Sequence, residues 1–200
     1  MLCGDTVTKN IFEDDISGLS VFGDAGSAAI ISKRQGQKIF FNLQTFGELD
    51  DSIIMRRGAY RNPLIVENNS TNLRENFSVM DGTEVMKFST TSVPDNLIDL
   101  IKFSGVDLAQ PGGVILHQAN LMIVRDIATR LNLPIEKVPF KSARIGNTSC
   151  ASIPVTLCEM KRLNEPVNFL AMLSGFGVGM STASAIIDLS ELICLPTGEI

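Results

Sequence analysis

The chain contains a single histidine, His117, in the stretch VILHQANLMIVRDIA that runs from Val114 to Ala128. An imidazole can donate a hydrogen bond, accept one, or exchange a proton near neutral pH. The apolar run before His117 predicts a buried strand, and the helical periodicity after it predicts a helix. We therefore expect His117 at the carboxyl end of a strand, where reacting groups gather in open α/β sheets. A buried histidine that only makes hydrogen bonds is the alternative.

A second candidate is Asn147, in the segment RIGNTSCAS over residues 144–152. The pattern predicts a strand, then a glycine that lets the backbone turn sharply and approach a ligand, then a polar cluster and a helix. An asparagine amide offers two N–H donors that never titrate, which makes it a candidate binding group. The same residue types also form ordinary helix N-caps, and that is the other interpretation of this segment.

Three glycines alternate in the segment SGFGVGMS, residues 174–181. Their spacing differs from the GxGxxG of a dinucleotide site and no GK[ST] follows, so a phosphate-binding loop is disfavoured. Alternate glycines fit a tight bend whose backbone N–H groups point at a substrate, although a purely structural bend fits equally well. The glycine-rich FGDAGSAA near residue 24 predicts only a connection between strands.

Charge and composition exclude several classes of function. The net charge is −5 and the 17 Lys and Arg are scattered, which disfavours a nucleic-acid partner. No apolar run reaches the roughly 18 residues of a membrane span, and MLCGDTVTKN lacks the features of a leader, so we expect a cytoplasmic protein. The four cysteines form no CxxC pair and no histidine lies at metal-binding spacing, so neither a metal site nor a disulfide framework is predicted.

The remaining pattern predicts the elements that must position these residues. Strands are predicted at SVF, SAAIIS, KIFFNLQTF, GGVILH, KVPF, VNFLAMLSGF and TASAIIDL. Helices are predicted at DNLIDLIKFSGV, LMIVRDIATRLNL and SIPVTLCEMKRL. In the helix after His117, one face is formed by Leu121, Val124, Ala128 and Leu131, and it is expected to pack on the sheet. Helices that alternate with short apolar strands predict an α/β layer architecture.

Between these patterned regions, residues 48–92 show no sustained period of either strand or helix and are rich in asparagine. A long irregular stretch inside a compact chain is more often a covering segment or a functional loop than a linker. We therefore divide the chain into residues 1–47, an irregular covering segment at 48–92, and a regular α/β part at 93–200.

Taken together, the motifs resemble the C-terminal portion of 3-oxoacyl-[acyl-carrier-protein] synthase III, a family of the thiolase-like superfamily. The matching segments are VFGDAGSAAII, MDGTEVMKFS, HQAN, GNTSCASIP and GFGVG, in the family's order and approximate spacing. The resemblance implies a thiolase-like α/β fold. The C-terminal half would be complete at 93–200, and the last strands of the N-terminal half would lie at 1–47.

The resemblance also implies an acyltransferase of fatty acid biosynthesis. Such an enzyme condenses an acyl group, held as a thioester on a cysteine, with a malonyl group on acyl carrier protein. His117 would be its catalytic histidine and Asn147 its catalytic asparagine, both donating to the thioester oxygen as carbon dioxide leaves, with the histidine neutral. Acyl-CoA and malonyl carrier protein are the expected substrates, no cofactor is expected, and the complete enzyme would be a homodimer.

Two further positions follow from the resemblance. Gly177 and Val178 lie in the bend that helps form an oxyanion hole for the acyl thioester, and Val178 keeps the backbone N–H although a glycine is usual there. Carrier-protein docking usually involves a basic residue shortly after HQAN. Met122 occupies that position, and Arg125, about one helical turn further on, is expected to substitute because charge steering tolerates small displacements.

The family's nucleophilic cysteine lies upstream of the first matching residue, and neither Cys3 nor Cys150 is a convincing replacement. Because a thiolase-like fold pairs two similar halves, one sheet face of this chain alone is expected to be uncovered. We expect either a fragment of a longer enzyme or one chain of a split one, completed by an N-terminal half or a partner chain. Two alternatives stay open: a non-catalytic partner half, and a non-decarboxylating acyltransferase in which His117 is a general base.

Overall fold

The structure, a computed structural model, describes residues 1–33, 35–58, 62–64 and 73–199. The strands of these residues are β1 (Leu2–Asp5), β2 (Ala25–Ala28), β3 (Phe40–Thr45), β4 (Ile53–Met55), β5 (Ser78–Met80), β6 (Gly113–Leu116), β7 (Leu170–Gly177) and β8 (Ser181–Asp188). The α-helices are α1 (Ile16–Leu19), α2 (Gly82–Ser104), α3 (Leu121–Arg130), α4 (Ser142–Ile145) and α5 (Ser152–Arg162).

The central sheet is mixed and has four strands in the order β3, β8, β7, β6. Strand β6 runs parallel to β7, whereas β8 is antiparallel to both β7 and β3. The β6 sequence GVIL is apolar and buried at every position, as expected for a strand covered on both faces. Because β6 and β7 are parallel, their carboxyl ends lie at the same edge of the sheet.

Helices pack on both faces of the β6 and β7 pair. On one face, α2 and α3 form the main core, in which Leu97 and Val124 cluster with Met172 of β7. On the other face α5 packs against β6, and Met160 clusters with Ile115. Full burial of an aliphatic side chain of this size contributes about 1.5–3 kcal/mol, so these contacts fix the sheet between the helices.

The predicted buried face of α3 is confirmed at Val124, Ala128 and Leu131. Leu121, the first residue of the helix, is only half-buried. Ile123 and Ile127, which the spacing argument did not include, are also buried. The apolar stripe of α3 is therefore wider than predicted.

Strand β3 exposes an apolar face to solvent. Phe40 packs against the main core and Asn42 donates to the backbone carbonyl of Asn96 in α2, so these two residues face the helices. Phe41 and Leu43 alternate with them and are 58% and 71% exposed. The expectation of an uncovered apolar sheet face is confirmed at this strand.

The irregular segment predicted at 48–92 is wrong over residues 82–92, because α2 begins at Gly82 and not near residue 95. Asp81 caps this helix by accepting hydrogen bonds from the backbone N–H groups of Thr83 and Glu84. Strands β4 and β5 also fall in the segment. Serine, threonine and proline are weak helix formers, and they hid the periodicity.

Among the described residues, no helix is both long and apolar enough to cross a bilayer.

Two of the predicted strands are wrong. SVF at 20–22 follows α1 and makes only an isolated bridge at Phe22, and KVPF at 137–140 is irregular after a short 3-10 turn. The strand predicted at SAAIIS is shifted to β2, where Ala25–Ala28 pairs with β1. Short apolar runs of three or four residues do not carry enough period to be distinguished from connections. The other strands occur close to their predicted positions.

Candidate active site

His117 lies at the carboxyl end of β6, as its sequence position predicts. Its backbone N–H donates to the carbonyl of Ser174 at 2.7 Å, which continues the β6 and β7 ladder by one step. Its ring meets the ring of Phe176 edge to face, with centroids 5.1 Å apart and planes at 89°. The backbone bond and the aromatic contact together restrict the position of the imidazole.

The imidazole of His117 also has a polar partner. Its Nδ1 lies 2.7 Å from the hydroxyl oxygen of Ser152, in the first turn of α5. Burial lowers the pKa of His117 to about 4, against a smaller opposing contribution from hydrogen bonding with the backbone of Ser149. The ring is therefore neutral at pH 7.

The two polar neighbours of His117 in the HQAN motif have structural roles. Gln118 is fully buried, and its amide donates to the carbonyls of Leu116 and Pro139 at 2.9 and 3.2 Å. Its Oε1 accepts from the backbone N–H of Lys141 at 2.8 Å. Asn120 is the N-cap of α3, and its Oδ1 accepts from the N–H of Ile123 at 2.9 Å. These bonds fix the turn that carries His117.

Asn147 is held by backbone contacts with a remote segment. Its N–H donates to the carbonyl of Val21 at 2.8 Å, and its carbonyl accepts from the N–H of Gly23 at 3.0 Å. Gly146, with φ of 71° and ψ of −177°, adopts a conformation that is essentially restricted to glycine. A Cβ at Gly146 would lie 2.7 Å from the backbone nitrogen of Gly23. The glycine therefore permits an approach of two backbones, whereas the sequence suggested an approach to a ligand.

The side chain of Asn147 is oriented by its own backbone. Its Oδ1 accepts from the N–H of Ser149 at 3.0 Å, an Asx turn that assigns the oxygen and nitrogen of the amide without ambiguity. In the described part of the chain, the amide nitrogen of this buried residue donates to no protein group. Asn147 thus has a free N–H pair, as required of a donor to a bound oxygen.

The residues that precede Asn147 are also fixed to α5. Glu159 is 1% exposed and accepts hydrogen bonds from the guanidinium groups of Arg144 and Arg162. These bonds lower the pKa of Glu159 to about 2, and the bond from Arg144 makes the largest contribution. Arg144 belongs to the short helix α4, which occupies the place of the strand predicted before Gly146. The prediction of a strand there is wrong.

Sequence reasoning did not identify Ser152, Gln118 or Glu159 as parts of the site. Gln118 and Ser152 lie inside the segments HQAN and GNTSCAS, but their residue types alone do not distinguish them from helix caps. Glu159 has one local partner, Arg162 three residues further along α5, whereas its other partner, Arg144, reaches it only in the folded chain.

The segments around His117 and Asn147 both fall within a region that matches known proteins. Residues 101–189, which include both His117 and Asn147, match the family model described as 3-oxoacyl-[acyl-carrier-protein (ACP)] synthase III, C terminal. A beta-ketoacyl-[acyl-carrier-protein] synthase III of Fusobacterium nucleatum is 34% identical over 189 residues, which cover 92% of this chain and 56% of the relative. The chain matches the C-terminal portion of the synthase III family.

Solved structures of synthase III agree with this relationship. A 3-oxoacyl-(acyl-carrier protein) synthase of Burkholderia xenovorans superposes with a TM-score of 0.82 at 29% identity, over 100% of this chain and 58% of its own. The synthase III of Thermus thermophilus superposes with a TM-score of 0.80 at 29% identity, over 94% of this chain and 57% of its own. The predicted thiolase-like α/β fold is confirmed, and the chain spans slightly more than half the length of these relatives.

The synthase III resemblance assigns an oxyanion role to the turn at Gly177 and Val178. This turn joins β7 to β8: Gly177 pairs with Ser181 at the end of the ladder, and the Val178 side chain is 70% exposed. Gly175 pairs with Ala183 inside the ladder, so the bend is confined to residues 178–180 and does not include all three alternate glycines. No hydrogen bond joins the turn to His117 or Asn147 in the residues that the structure describes.

The docking position expected for synthase III lies on the exposed side of α3. Met122 is 67% exposed, and Arg125 is also exposed. Within the described residues the guanidinium of Arg125 makes neither an ion pair nor a hydrogen bond, in contrast to Arg130, which pairs with Asp126. A positive charge is thus available about one turn from the start of the helix.

The four cysteines are free thiols. Cys158 and Cys194 lie together, with their sulfur atoms 3.9 Å apart, and burial raises the pKa of Cys158 to about 11. Cys150 is exposed and its sulfur contacts the carbonyl of Gly4 at 3.7 Å. Over the described ranges, no three His, Cys, Asp or Glu side chains are grouped so as to hold a metal ion.

Proposed function

We propose that this chain contributes His117 and Asn147 to a decarboxylative condensation of the 3-oxoacyl-[acyl-carrier-protein] synthase III type, in which an acyl thioester is joined to malonyl carrier protein. The observation that carries the proposal is a pair of fixed neutral donors, His117 and Asn147, which are linked through Ser149: its N–H donates to Asn147 and its backbone interacts with the imidazole. His117 is restrained by Phe176 and Ser152, and the free amide nitrogen of Asn147 is oriented by an Asx turn. The reaction belongs to fatty acid biosynthesis or to a related route to acyl chains.

Two fixed neutral donors suit the charge that develops in this reaction. Loss of carbon dioxide from a malonyl thioester leaves negative charge on the thioester oxygen, as an enolate. Donors that are already oriented stabilise this charge without reorganisation, and removal of one of them typically costs about 2.7–4 kcal/mol in the barrier. A charged imidazolium would instead attract the substrate carboxylate, whose departure the reaction requires. The lowered pKa of His117 keeps the ring neutral.

The same pKa argues against the non-decarboxylating acyltransferase. A general base works best when its pKa lies near the operating pH, because it must accept a proton in the transition state. With a pKa of about 4, His117 is a weak base at pH 7 and remains a competent hydrogen-bond donor. We therefore favour the decarboxylating reaction.

We further propose that the cysteine that carries the acyl group is none of the four in this chain. Reactive cysteines have a lowered pKa, beside a cation or a helix N-terminus. The pKa of Cys158 is raised to about 11, and Cys194 is its neighbour. The sulfur of Cys150 contacts a carbonyl oxygen, which does not stabilise a thiolate. Cys3 lies within β1, on a strand paired with β2. The acyl thioester would therefore be presented by another polypeptide segment, an N-terminal half or a partner chain.

Acyl carrier protein and acyl-CoA are the partners that this proposal requires. The free guanidinium of Arg125 beside the exposed Met122 supports docking of an acidic carrier protein on α3. The resemblance to synthase III assigns the backbone N–H of Val178 to the acyl thioester. The complete enzyme would be a homodimer. A purely non-catalytic half is disfavoured, because it has no need of a neutral histidine and an asparagine with free donors.

The test measures the release of carbon dioxide from malonyl carrier protein. The chain is used together with any protein that co-purifies with it. We expect His117→Ala and Asn147→Ala each to lower the rate by roughly 10²–10³-fold. Gln37→Ala, which removes an exposed amide bonded to Asp188, serves as the matched control and should leave the rate unchanged. Undiminished decarboxylation in both site variants would refute the proposal.

The cysteine proposal has its own test, intact-mass spectrometry after incubation with short acyl-CoA thioesters. We expect no covalent adduct on this chain. A stoichiometric acyl adduct on Cys3 or Cys150 would show that the chain carries its own nucleophile, and would replace the proposal of a separate cysteine.

A further inference from the structure

The hydroxyl of Ser152 has one hydrogen-bond partner in the described part of the chain, Nδ1 of His117 at 2.7 Å. Ser152 is 2% exposed, so its hydroxyl is shielded from bulk water. A serine in the first turn of a helix commonly accepts from a backbone N–H, but α5 has Ala151 as its N-cap and no side-chain cap bond. The hydroxyl is therefore left free to interact with the imidazole.

The direction of this hydrogen bond decides which ring nitrogen carries the proton. A hydroxyl has one proton to donate, and a buried donor without an acceptor is costly. If Nδ1 carried the proton and donated to Ser152, the hydroxyl proton would have no acceptor among the described residues. If Ser152 donates to Nδ1, the hydroxyl proton and the ring lone pair satisfy each other, and the single proton of the neutral ring lies on Nε2.

We propose that Ser152 is a positioning residue that donates its hydroxyl proton to Nδ1 of His117 and so holds the ring in the tautomer protonated at Nε2. The catalytic part of this inference rests on the proposed function, in which the Nε2–H group of His117 would donate to the thioester oxygen. Phe176 restrains the ring plane, and Ser152 selects the tautomer.

The backbone of Ser149 is the other group that acts on the imidazole. The backbone of Ser149 interacts with the imidazole in a manner that favours a proton on the ring. If that backbone group accepted from Nδ1, the ring would adopt the opposite tautomer and Nε2 would carry a lone pair. Measurement of the tautomer therefore shows whether Nδ1 accepts a proton from Ser152 or carries the ring proton itself.

The decisive experiment is long-range proton–nitrogen NMR of the nitrogen-15-labelled chain at pH 7. His117 is the sole histidine, so both ring nitrogens are identified without competing signals. An unprotonated ring nitrogen resonates far downfield of a protonated one. We expect Nδ1 to show the unprotonated shift and Nε2 the protonated shift. The reverse pattern overturns the proposal, whatever the activity of the chain.

Variants then assign the effect to the hydroxyl. In Ser152→Ala we expect the two ring nitrogens to move toward averaged shifts, because the two tautomers become closer in population. Ser152→Thr keeps the hydroxyl and should keep the wild-type pattern. Thr156→Val is the matched control, since it removes a buried hydroxyl of α5 that bonds to the carbonyl of Ser152 and not to the ring. If Ser152→Ala does not fold, the wild-type and Ser152→Thr spectra remain a complete test.

Activity provides the separate test of the link to catalysis. The rate of decarboxylation should fall in proportion to the population of the tautomer protonated at Nε2, so that equal populations halve kcat while KM is unchanged. A tautomer shift in Ser152→Ala without loss of decarboxylation would leave Ser152 as the tautomer-setting residue and would contradict the donor role in the proposed function. Absence of a tautomer shift would overturn the inference itself.

Discussion

The segments 117–120 and 146–149 each present one polar side chain at the candidate site, but they are held by different kinds of contact. Around His117, the side chains of Gln118 and Asn120 bond to the backbone of the strand, of the next loop and of α3. Around Asn147 the contacts are between backbones, with Val21 and Gly23 on a segment more than a hundred residues away in sequence.

This difference separates two ways of positioning a donor. In the HQAN turn, the side chains of Gln118 and Asn120 bond to backbone groups within about 25 residues of them, so the geometry of the turn depends on side-chain identity. The turn at Asn147 depends on close approach, which only the absence of Cβ atoms at Gly23 and Gly146 permits. The first turn should be sensitive to the loss of a side-chain amide, whereas the second should be sensitive to any added atom.

The largest effect is expected for Gly146→Ala. The new Cβ would lie 2.7 Å from the backbone nitrogen of Gly23, in a backbone conformation that alanine does not adopt. We expect the free energy of unfolding to fall by about 4 kcal/mol in chemical denaturation. Gly82→Ala, at the open first turn of α2, is the control, with a change below about 0.5 kcal/mol. If both variants lowered the free energy of unfolding by the same small amount, the turn at Asn147 would not depend on the close approach of Gly146 to Gly23.

A somewhat smaller loss is expected for Gln118→Leu, which tests the other segment. The leucine fills the buried space but leaves the carbonyl of Pro139 and the N–H of Lys141 without partners. We expect a loss of about 3 kcal/mol in the free energy of unfolding. The control Gln37→Leu removes an exposed amide and should change stability by less than about 0.5 kcal/mol. Stability equal to wild type in Gln118→Leu would mean that side-chain bonds do not hold the HQAN turn.

Acid titration distinguishes the two donors, because His117 titrates and Asn147 does not. The pKa of His117 is lowered from 6.5 to about 4, so between these values the unfolded chain binds more protons. The stability due to this group is complete above pH 6.5 and is lost as pH falls toward 4. We expect a loss of about 2 kcal/mol between pH 7.5 and 5 that is absent in His117→Gln. A titration of the His117 ring by NMR with a midpoint near 6.5 would contradict this prediction.

The smallest effect is expected for Asn120→Ala, which removes the N-cap of α3. The N–H of Ile123 loses its acceptor at a partly buried helix terminus, and the cost should be about 1 kcal/mol in the free energy of unfolding. Asn120→Asp keeps an acceptor oxygen and should restore most of the loss. If Asn120→Asp were as unstable as Asn120→Ala, the cap would not be the role of this residue.

Much of the fold near the site was predictable, because the patterns there are long and regular. The buried strand β6, the helices α3 and α5 and the β7 and β8 hairpin all occur close to their predicted positions. The predictions failed where the pattern was short or unusual in composition. SVF and KVPF were too short to carry a period, and the Ser/Thr-rich start of α2 concealed a helix capped by Asp81.

For the site, the sequence by itself determined which residues could do chemistry: a sole histidine after an apolar strand, an asparagine after a glycine, and the motifs shared with synthase III. It also determined the caps, since Asn120 and Asp81 act on backbone groups three residues away. Only the tertiary structure decided that Ser152 reaches His117, that Glu159 binds Arg144, and that Gly146 meets Gly23. The reason is physical: caps and strand periods arise from neighbours in the chain, whereas the proton position on an imidazole depends on groups that only folding brings together.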